Sequence, residues 1–385
     1  MTRILHISAD YPDAIQPRKT RAIAALVEGT QTRFDHVVYS LNRKGGWRGW
    51  LRPGALEVVA ESREVRSCRF WAPSRGFRLA RVMSRVASNI EADMQQRSET
   101  IDLIHGHKLT MEGLAAQELA RRLGVPYLLT IQGNTDQKVM RARPDLKGRW
   151  RSMWFNAASV ISFAPWAASW IEQQLGERPN GEVNLPCVPA TDAILEPVET
   201  PALVRTAFNL ADWRNKNVAT LAAATAIARK VIPGLRLEIA GDGPAGAISA
   251  VDAVLSRAGI SDIARRVGPV LSTDIQQWMN GAALFALPSR RESFGMVFSE
   301  ALLAGCPIIY PKGAAVDGYF DGEPFAKAVP AEDSNALADL MIELIENQSS
   351  VKSALARWQS STSASSFRRA EILDHYAEVV IRACG

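Results

Sequence analysis

The sequence predicts an α/β protein with two doubly wound domains, and three observations support this fold class. The chain has 385 residues, which is too long for one ordinary hydrophobic core and fits two domains. Short apolar segments typical of buried strands alternate with longer segments of helical periodicity. The same alternation begins again near Ala202, after a segment rich in proline and acidic residues.

This alternation also predicts the domain boundaries. The N-terminal domain is expected over residues 1–190 and the second domain over 202–365. The linker between them, residues 191–201, has the sequence T-D-A-I-L-E-P-V-E-T-P. Residues 366–385 form a separate terminal helical segment.

Individual elements follow from periodicity. Strands of the first domain are predicted at residues 4–8, 37–41, 56–60, 103–105, 126–131 and 160–163. Helices of that domain are predicted at residues 21–29, 79–96, 111–123 and 166–175. The second domain starts with a helix at 218–231, a strand at 236–240 and a helix at 245–258.

Composition indicates a globular cytoplasmic protein. Hydrophobic residues make up 47% of the chain, and no apolar run approaches the ~20 residues that a membrane-spanning helix needs. The first apolar run, residues 4–8, is too short for a signal peptide because Asp10 follows so soon. Four scattered cysteines, without a C-x-x-C pair, predict a reduced protein without structural zinc.

Positive charge is concentrated in the first half of the chain. Residues 1–190 contain 27 Lys and Arg against 18 Asp and Glu, whereas the whole chain has a net charge of +5. Two stretches, 66–86 and 141–155, mix arginine with aromatic residues. No recognition motif for nucleic acid accompanies them, so an anionic membrane surface is the better candidate partner. A solvated basic helix is an equally good interpretation.

The segment S-R-R-E-S-F-G-M-V-F-S-E-A-L-L-A-G-C-P, residues 289–307, carries the strongest functional signal. Its pattern predicts a helix with Ser293 as N-cap and one apolar stripe for packing on a sheet. Glu292 precedes the helix and Glu300 lies inside it. Gly295 is predicted in the first turn, where the absent side chain lets a ligand approach the backbone.

A helix N-terminus favours an anion, and carboxylates accept hydrogen bonds from hydroxyl groups. Together they indicate a phosphorylated, hydroxyl-rich ligand such as a nucleotide sugar. The alternative is that Glu292 and Glu300 are solvated charges beside a buried helix. Their separation of eight residues would span about 12 Å of helix. That exceeds the roughly 5–9.5 Å between paired glycosidase carboxyls and favours binding roles.

E-S-F-G-M-V-F-S-E resembles the E-x-F-G-x-x-x-x-E motif of the retaining GT-B glycosyltransferases of family 4. Three further segments are similar to that family's strand ends, namely L-E-I-A-G-D-G-P at 237–244, V-G-P-V at 267–270 and A-L-P-S at 286–289. The resemblance implies the GT-B fold, in which two Rossmann-like doubly wound domains face each other across a cleft. It also implies that the last helix crosses back to the N-terminal domain.

The resemblance implies a donor site in the second domain. Glu300 would bind the ribose hydroxyls, and Glu292 would contact the donor sugar as a catalytic residue. The backbone amides of Gly295, Met296 and Val297 would contact sugar or phosphate. Gly241, in the G-D-G-P turn, would also belong to the donor site.

A diphosphate leaving group needs cations, because its negative charge grows as the glycosidic bond breaks. Lys216 matches the family's lysine and is a catalytic candidate. Asn209 occupies the position of the family's arginine, so Arg214, or alternatively Arg205, is expected to replace it.

The acceptor side departs from the family. The glycine pair after the first strand is absent, and Arg18 and Lys19 could supply charge there instead. Gln132 replaces a histidine of the family's T-x-H-G segment. His107, at the end of I-H-G-H, is a candidate catalytic residue facing the acceptor. No Asp-x-Asp motif is present, so neither a metal nor another cofactor is expected.

These features predict a retaining glycosyltransferase that uses a UDP- or GDP-sugar. The acceptor would be a cell-surface saccharide or a lipid-linked glycan, and the enzyme would be peripheral at the inner face of the cell membrane. Two alternatives remain open at this stage. One is a degenerate, non-catalytic GT-B scaffold that binds saccharide or a partner transferase, and the other is a GT-B nucleotide-sugar epimerase.

Overall fold

A computed structural model describes residues 1–179 and 181–385. The chain divides into two compact units. The N-terminal unit comprises Met1–Val188 together with Ile372–Gly385, and the C-terminal unit comprises Pro189–Glu371.

The N-terminal unit is built on an eight-stranded sheet with the order β3-β4-β2-β1-β5-β6-β7-β8. Its strands are β1 (Arg3–Ser8), β2 (Asp35–Lys44), β3 (Leu56–Glu61), β4 (Val65–Trp71), β5 (Leu103–Gly106), β6 (Tyr127–Ile131), β7 (Ser159–Ser162) and β8 (Val183–Asn184). Only the edge strand β3 pairs antiparallel to its neighbour, and the other described pairings are parallel. Parallel pairing requires crossover connections, which the helices supply.

The helices of this unit are α1 (Ala22–Gly29), α2 (Trp47–Leu51), α3 (Leu79–Gln96), α4 (Glu112–Leu123), α5 (Asn134–Ala142), α6 (Lys147–Asn156) and α7 (Pro165–Leu175). Their apolar faces enclose a core that includes Trp150 and Trp154, both fully buried. A second cluster of buried residues includes Leu103, Leu128 and Tyr376, so residues after Ile372 complete the core of this unit.

The C-terminal unit contains a wholly parallel six-stranded sheet with the order β11-β10-β9-β12-β13-β14. Its strands are β9 (Leu203–Ala207), β10 (Arg236–Ala240), β11 (Ala264–Gly268), β12 (Leu284–Ala286), β13 (Ile308–Pro311) and β14 (Ala326–Val329). The helices are α8 (Val218–Ala228), α9 (Ala245–Arg257), α10 (Ile275–Asn280), α11 (Met296–Leu303), α12 (Ser334–Glu346), α13 (Gln348–Gln359) and α14 (Thr362–Ser365). Helix α15 (Arg369–Cys384) begins in this unit, and its residues from Ile372 onward belong to the N-terminal unit.

The two Rossmann-like sheets confirm the predicted fold class. The bounds of α3 and β10 agree with the predicted bounds, but the sequence reasoning missed β4, α2, α5 and α6. Strand β4 lies in the first arginine-rich stretch, where its buried Arg66 is paired with Glu99 at 2.6 Å. Because Glu99 is distant in sequence, local patterns do not show that Arg66 is buried, and the segment does not look like a strand.

Four of the five histidines form a buried hydrogen-bonded chain in the N-terminal unit. His6 contacts His107 through Nδ1 at 2.8 Å and His36 through Nε2 at 2.9 Å. Nε2 of His36 lies 3.1 Å from the hydroxyl of Thr30, which donates to the carbonyl of Leu26. The Thr30 hydroxyl therefore accepts from His36, which fixes the proton of that ring on Nε2.

The other end of this chain reaches the last helix. Nδ1 of His105 lies 3.0 Å from the hydroxyl of Tyr376 on α15, and Nε2 of His105 lies 2.7 Å from the Thr130 hydroxyl. That hydroxyl lies 3.5 Å from Nδ1 of His107. With a proton on Nε2 of every ring, all the donors point in one direction and each of these nitrogens has a partner.

Such a chain requires four neutral imidazoles. Burial, followed by the neighbouring histidines, lowers the pKa of His6 and of His107 well below 6.5. Burial also lowers the pKa of His36 to about 4 and that of His105 to about 3. The folded histidines therefore stay neutral at pH values at which the same histidines bind a proton in the unfolded chain.

The four histidines should consequently destabilise the protein below a pH of about 6.5, where unfolded but not folded histidine is protonated. Glu112 and Glu182, whose pKa burial raises to about 7, oppose part of this loss, because the folded protein protonates them first. Each histidine contributes about 1.4 kcal/mol per pH unit until its folded-state pKa is reached. Urea unfolding at about pH 7.5 and about pH 5.5 measures this loss. His36→Gln should reduce the pH dependence by about one proton, whereas His375→Gln, outside the chain, should leave it unchanged. Equal pH dependence in all three proteins would contradict the neutral network.

Candidate functional site

The carboxyl ends of three strands form an open cavity in the C-terminal unit. Strands β9, β10 and β11 end beside a cavity of about 420 Å³, whose lining includes Phe208, Asn209, Gly241, Asp242 and Pro269. Ligands of open α/β sheets bind at this edge. The cavity is therefore the candidate site for part of the donor.

Gly241 is required for the shape of this edge. Its φ is 137°, and a Cβ atom there would lie 1.9 Å from the carbonyl oxygen of Phe208. Its amide donates to the Gly268 carbonyl at 2.8 Å, which joins the ends of β10 and β11. The predicted donor residue Gly241 thus lines the cavity, and its conformation excludes any side chain.

Lys216 and Glu292 form an ion pair at the same edge of the unit. The pair is part-buried, with the two side chains 17% and 16% exposed. Their loops are also joined through the backbone, because the Arg290 amide donates to the Asn215 carbonyl at 2.8 Å. The structure therefore brings together two residues that are 76 positions apart in sequence and were predicted separately.

The helix that follows Glu292 begins later than predicted. Its first residue is Met296, and Gly295, with a φ of 71°, is the N-cap. The prediction of Ser293 as N-cap is wrong, because the left-handed turn at Gly295 intervenes. A Cβ at Gly295 would lie 2.8 Å from the Phe298 ring and 3.0 Å from Cγ of Glu292.

Met296 and Val297 form the first turn of α11 and are partly exposed. Backbone N–H groups at this position have no acceptor within the helix. The amides of Met296 and Val297, together with that of Gly295, lie at the start of α11, and their contacts with sugar or phosphate stay a prediction.

Glu300 is more enclosed than the sequence suggests. Its side chain is buried, and Oε1 accepts a hydrogen bond from the Ala190 amide at 3.0 Å. Burial raises the pKa of Glu300 despite this hydrogen bond. One carboxylate oxygen is thus already engaged within the unit.

Asn209 and the candidate replacement arginines have different environments. The Asn209 side chain accepts from the Ala211 amide at 3.0 Å and caps a short turn. Arg205 is paired with Glu238 at 2.8 Å and lies over the Trp278 ring, so it is part of the packing of the unit. Arg214 is exposed in the loop of Lys216, so it is better placed than Arg205 to contact a diphosphate.

In the N-terminal unit, the loop after β1 is organised by Asp13 in place of the family's glycines. The buried carboxylate of Asp13 accepts from the Ser40 hydroxyl at 2.5 Å, the Asn42 amide at 2.6 Å and the Lys19 ammonium at 2.9 Å. Burial alone would raise the pKa of Asp13, but these hydrogen bonds lower it overall. Sequence reasoning missed Asp13 because two of these partners, Ser40 and Asn42, lie on β2.

Lys19 is therefore committed to Asp13, and Arg18 beside it is exposed. Among the described residues, no ion pair engages Arg18, which leaves its charge available at the carboxyl edge of β1. The structure thus separates two neighbouring cations that the sequence treated together.

Gln132 and His107 are in contact, but only Gln132 is partly exposed. The Gln132 side chain donates to the His107 carbonyl at 2.8 Å. The Gln132 amide donates to the buried Asp136, which also accepts from the amide and the hydroxyl of Thr110. The His107 ring is fully buried in the histidine chain, and it is the backbone carbonyl of His107 that contacts Gln132.

A charged cluster at this edge escaped the sequence reasoning. Lys108 is paired with Asp10 at 2.7 Å and lies 3.9 Å from Glu112. The Ala9 amide donates to Oε1 of Glu112 at 2.8 Å. Burial raises the pKa of Glu112 to about 7, although the charge of Lys108 opposes this effect. The only sequence signal is that Lys108 directly follows I-H-G-H.

Half of the aromatic residues in the two arginine-rich stretches, three of six, belong to the core. Phe70, Trp150 and Trp154 are buried, and the indole of Trp150 donates to the Thr110 carbonyl at 3.1 Å. These residues therefore cannot contact a membrane as the pattern suggested. Across the described residues, no helix combines the length and the apolar character needed to cross a bilayer.

The nitrogens of His6, His105 and His107 lie within 4.8 Å of one another, close enough to hold a metal ion. It is the sole such group among the residues that the structure describes. Hydrogen bonds within the histidine chain already engage these nitrogens.

Comparison with known families gives matches on both units. Residues 19–187 match the glycosyl transferase 4-like domain, and residues 205–347 match glycosyl transferases group 1. A curated relative, the D-inositol 3-phosphate glycosyltransferase of Nocardioides sp., is 34% identical over 93 residues. That match covers 23% of this chain and 19% of the relative, so the chain matches only a fifth of the relative's length.

Solved structures agree over nearly the whole chain. Sucrose-phosphate synthase from Thermosynechococcus elongatus has a TM-score of 0.71 at 18% identity and covers 99% of each chain. HepE of Anabaena, in complex with UDP, has a TM-score of 0.67 at 15% identity and covers 99% of this chain and 100% of its own. At these identities the likeness shows the fold, which is GT-B.

Gly241→Ala should destabilise the protein by about 2–4 kcal/mol, because the Cβ would collide with the Phe208 carbonyl in a strained conformation. Gly246→Ala is the matched control, since a Cβ on this glycine of α9 meets no atom within 4 Å. The control should be neutral or stabilising by up to about 1 kcal/mol. Urea unfolding of both variants measures the difference, and equal midpoints would contradict the close approach.

Proposed function

Because the chain belongs to the group 1 glycosyltransferases, we propose that it moves a sugar from a UDP- or GDP-sugar to a cell-surface saccharide or lipid-linked glycan. The anomeric configuration is retained. The observation that carries the proposal is the pairing of Lys216 with Glu292 at the carboxyl edge that also holds the Gly241 cavity. A nucleotide diphosphate sugar requires a cation and an open backbone turn near its phosphates and a carboxylate near its hydroxyl groups.

Each donor residue has a chemical role in this proposal. The nucleoside occupies the cavity beside Gly241, and Glu300 accepts from the ribose hydroxyls with the carboxylate oxygen that does not bind Ala190. The diphosphate lies against the amides of Gly295, Met296 and Val297. Glu292 orients the donor sugar through its hydroxyl groups.

Lys216 supplies the electrostatic part of the reaction. As the glycosidic bond breaks, negative charge develops on the diphosphate, and a nearby ammonium group stabilises the transition state. Arg214 in the same loop adds a second cation. The ion pair with Glu292 positions Lys216 before the donor arrives, so that little reorganisation is needed during the reaction.

The acceptor binds to the N-terminal unit. Gln132 is partly exposed and Arg18 is exposed, and both lie where strands of this sheet end. Gln132 can bind a hydroxyl group but cannot act as a base near neutral pH. Deprotonation of the acceptor by the departing phosphate therefore fits these residues.

The enzyme works peripherally at an anionic membrane surface.

The relatives support a uridine nucleotide. HepE of Anabaena was solved with UDP and with UDP and glucose. The curated relatives are named for D-inositol 3-phosphate, but only short segments match, so their acceptor is not assigned to this chain.

A non-catalytic scaffold is the second candidate. Two observations favour it: Lys216 is paired with Glu292, and one oxygen of Glu300 accepts a hydrogen bond from the Ala190 amide. A donor must then compete with contacts inside the protein. Binding and turnover measurements distinguish the two functions.

We expect calorimetric titration to show micromolar binding of one nucleotide among UDP, GDP and ADP. Glu300→Gln keeps the shape of the side chain but makes it a weaker hydrogen-bond acceptor for the ribose hydroxyls. It should reduce the free energy of nucleotide binding by about 1–3 kcal/mol. Lys216→Met removes the cation and should weaken nucleotide diphosphates more than the nucleoside. Lys230→Met, on the same unit but outside the site, is the control. Absence of binding by all three nucleotides would favour the scaffold.

The bound nucleotide then selects a donor sugar for product analysis without acceptor. A transferase releases the free sugar slowly, an epimerase changes its configuration, and a scaffold does neither. Free sugar with the anomeric configuration of the donor supports retention, whereas the opposite anomer or a changed sugar contradicts it.

A further inference from the structure

The N-terminal unit contains a second cavity that the donor chemistry does not use. Its volume is about 640 Å³, within the usual range for small-molecule sites. The apolar part of its lining comprises Phe70, Phe77, Leu79, Val82, Met111 and Val139. Phe70, Leu79 and Val82 belong to the core of the unit, so the cavity penetrates the packed interior.

The cavity lies at the carboxyl edge of the sheet. Arg43 is near the end of β2, Ala72 follows β4, and Met111 lies in the connection after β5. Helix α5, which follows β6, contributes Val139. This is the edge where Gln132 and Arg18 also lie, so a ligand held in the cavity is bound on the acceptor side of the unit.

The polar part of the lining is cationic. Arg43, Arg75, Lys138 and Arg143 contribute to it, and among the described residues no carboxylate does. Arg43 donates to the Pro73 carbonyl at 2.5 Å, and Arg143 is paired with the exposed Asp145 at 2.6 Å. Arg75 and Lys138 are exposed and form none of the ion pairs found in the described parts of the chain.

An apolar surface lies beside the mouth of the cavity. Phe77 is 47% exposed, and its ring lies 5.1 Å from that of Trp50 on α2. Trp47 and Leu51 of the same short helix are 67% and 69% exposed. Tryptophan and leucine beside arginine are typical of segments that lie in the headgroup region of a membrane.

Helix α2 is fixed to the wall of the cavity. A Cβ at Gly49 would lie 2.6 Å from the carbonyl oxygen of Ala72, so only glycine permits this contact. Ala72 itself lines the cavity. The exposed surface and the wall of the cavity are therefore in direct contact.

We propose that this cavity binds the hydrocarbon chain of a lipid phosphate, while α2 rests in the membrane interface. Arg75 and Lys138 bind the phosphate, and Phe77 and Val139 contact the chain. An uncharged apolar ligand would make no use of the exposed cations at the rim, and a free anion would leave the apolar interior in contact with water. Only an amphiphile with an anionic headgroup matches both.

This inference rests on the proposed transfer function, because it identifies the lipid carrier of the acceptor. Within that function, the cavity explains how a glycan that is attached to a membrane lipid is held at the acceptor edge. The lipid leaves the bilayer beside α2, and its headgroup stays at the cationic rim.

Farnesyl phosphate is a suitable soluble probe, with farnesol and inorganic phosphate as separate arms. Calorimetry on the full chain should show binding of farnesyl phosphate, with farnesol and phosphate each at least roughly tenfold weaker. Equal affinity for farnesol would overturn the role of the cations. Equal affinity for inorganic phosphate would reduce the site to an anion site and overturn the role of the apolar interior.

The double variant Arg75→Glu, Lys138→Glu should lower the affinity for farnesyl phosphate by at least roughly tenfold. Arg149→Glu is the matched control, because Arg149 is an exposed arginine of the same unit that does not line the cavity. Val139→Trp should block the chain without changing the charge. Unchanged affinity in both test variants would overturn the proposal.

UDP binding by the same variants separates this proposal from the transfer function. Intact UDP binding without farnesyl phosphate binding would overturn the lipid site alone. If the unmodified chain does not bind UDP, the donor site on which the inference rests is overturned. Trp50→Ala should reduce sedimentation with phosphatidylglycerol vesicles while UDP binding stays unchanged, and unaltered sedimentation would contradict the membrane role of α2.

Discussion

The parallel arrangement of the strands is the constraint on which both sites depend. Backbone polar groups inside a parallel sheet are paired, and its faces are covered by helices. Ligands therefore bind to the loops at the carboxyl edge of the sheet. In the C-terminal unit, this edge brings the Lys216 loop to Glu292 and the Gly241 turn to Phe208. In the N-terminal unit, the same edge carries Gln132 and the cationic cavity.

Buried polar groups maintain these loops in place of the glycines and histidine of the family pattern. Asp13 binds the loop after β1 to the side chains of Ser40 and Asn42 on β2. Asp136 binds the backbone at Thr110 and Gln132. Several hydrogen bonds outweigh the cost of burial for the Asp13 carboxylate, whose pKa is lowered. For Asp136 they oppose that cost only in part, and burial keeps its pKa raised. The N-terminal unit therefore departs from the family pattern in how the carboxyl edge of its sheet is supported, and the edge is not collapsed.

Local patterns were sufficient to predict the fold class, six of the eight strands of the first sheet and the segment that contains Glu292 and Glu300. They failed where the deciding partner is distant in sequence. Strand β4 was hidden because Arg66 finds its carboxylate in Glu99, and the aromatic residues near Arg149 proved to be core. Glu292 was predicted as a ligand residue, but its pairing with Lys216 depends on two loops meeting in space. The histidine chain joins residues from five elements, which no spacing in the sequence reveals.

Hydrogen–deuterium exchange with and without UDP tests the central claim most directly, because it reports on each loop separately. Residues 207–217, 240–243 and 290–300 should become protected together when UDP is added to saturation. Protection should be reduced in Lys216→Met. Exchange that stays unchanged in all three segments, or protection confined to other parts of the chain, would contradict a donor site built from Lys216, Gly241 and Glu292.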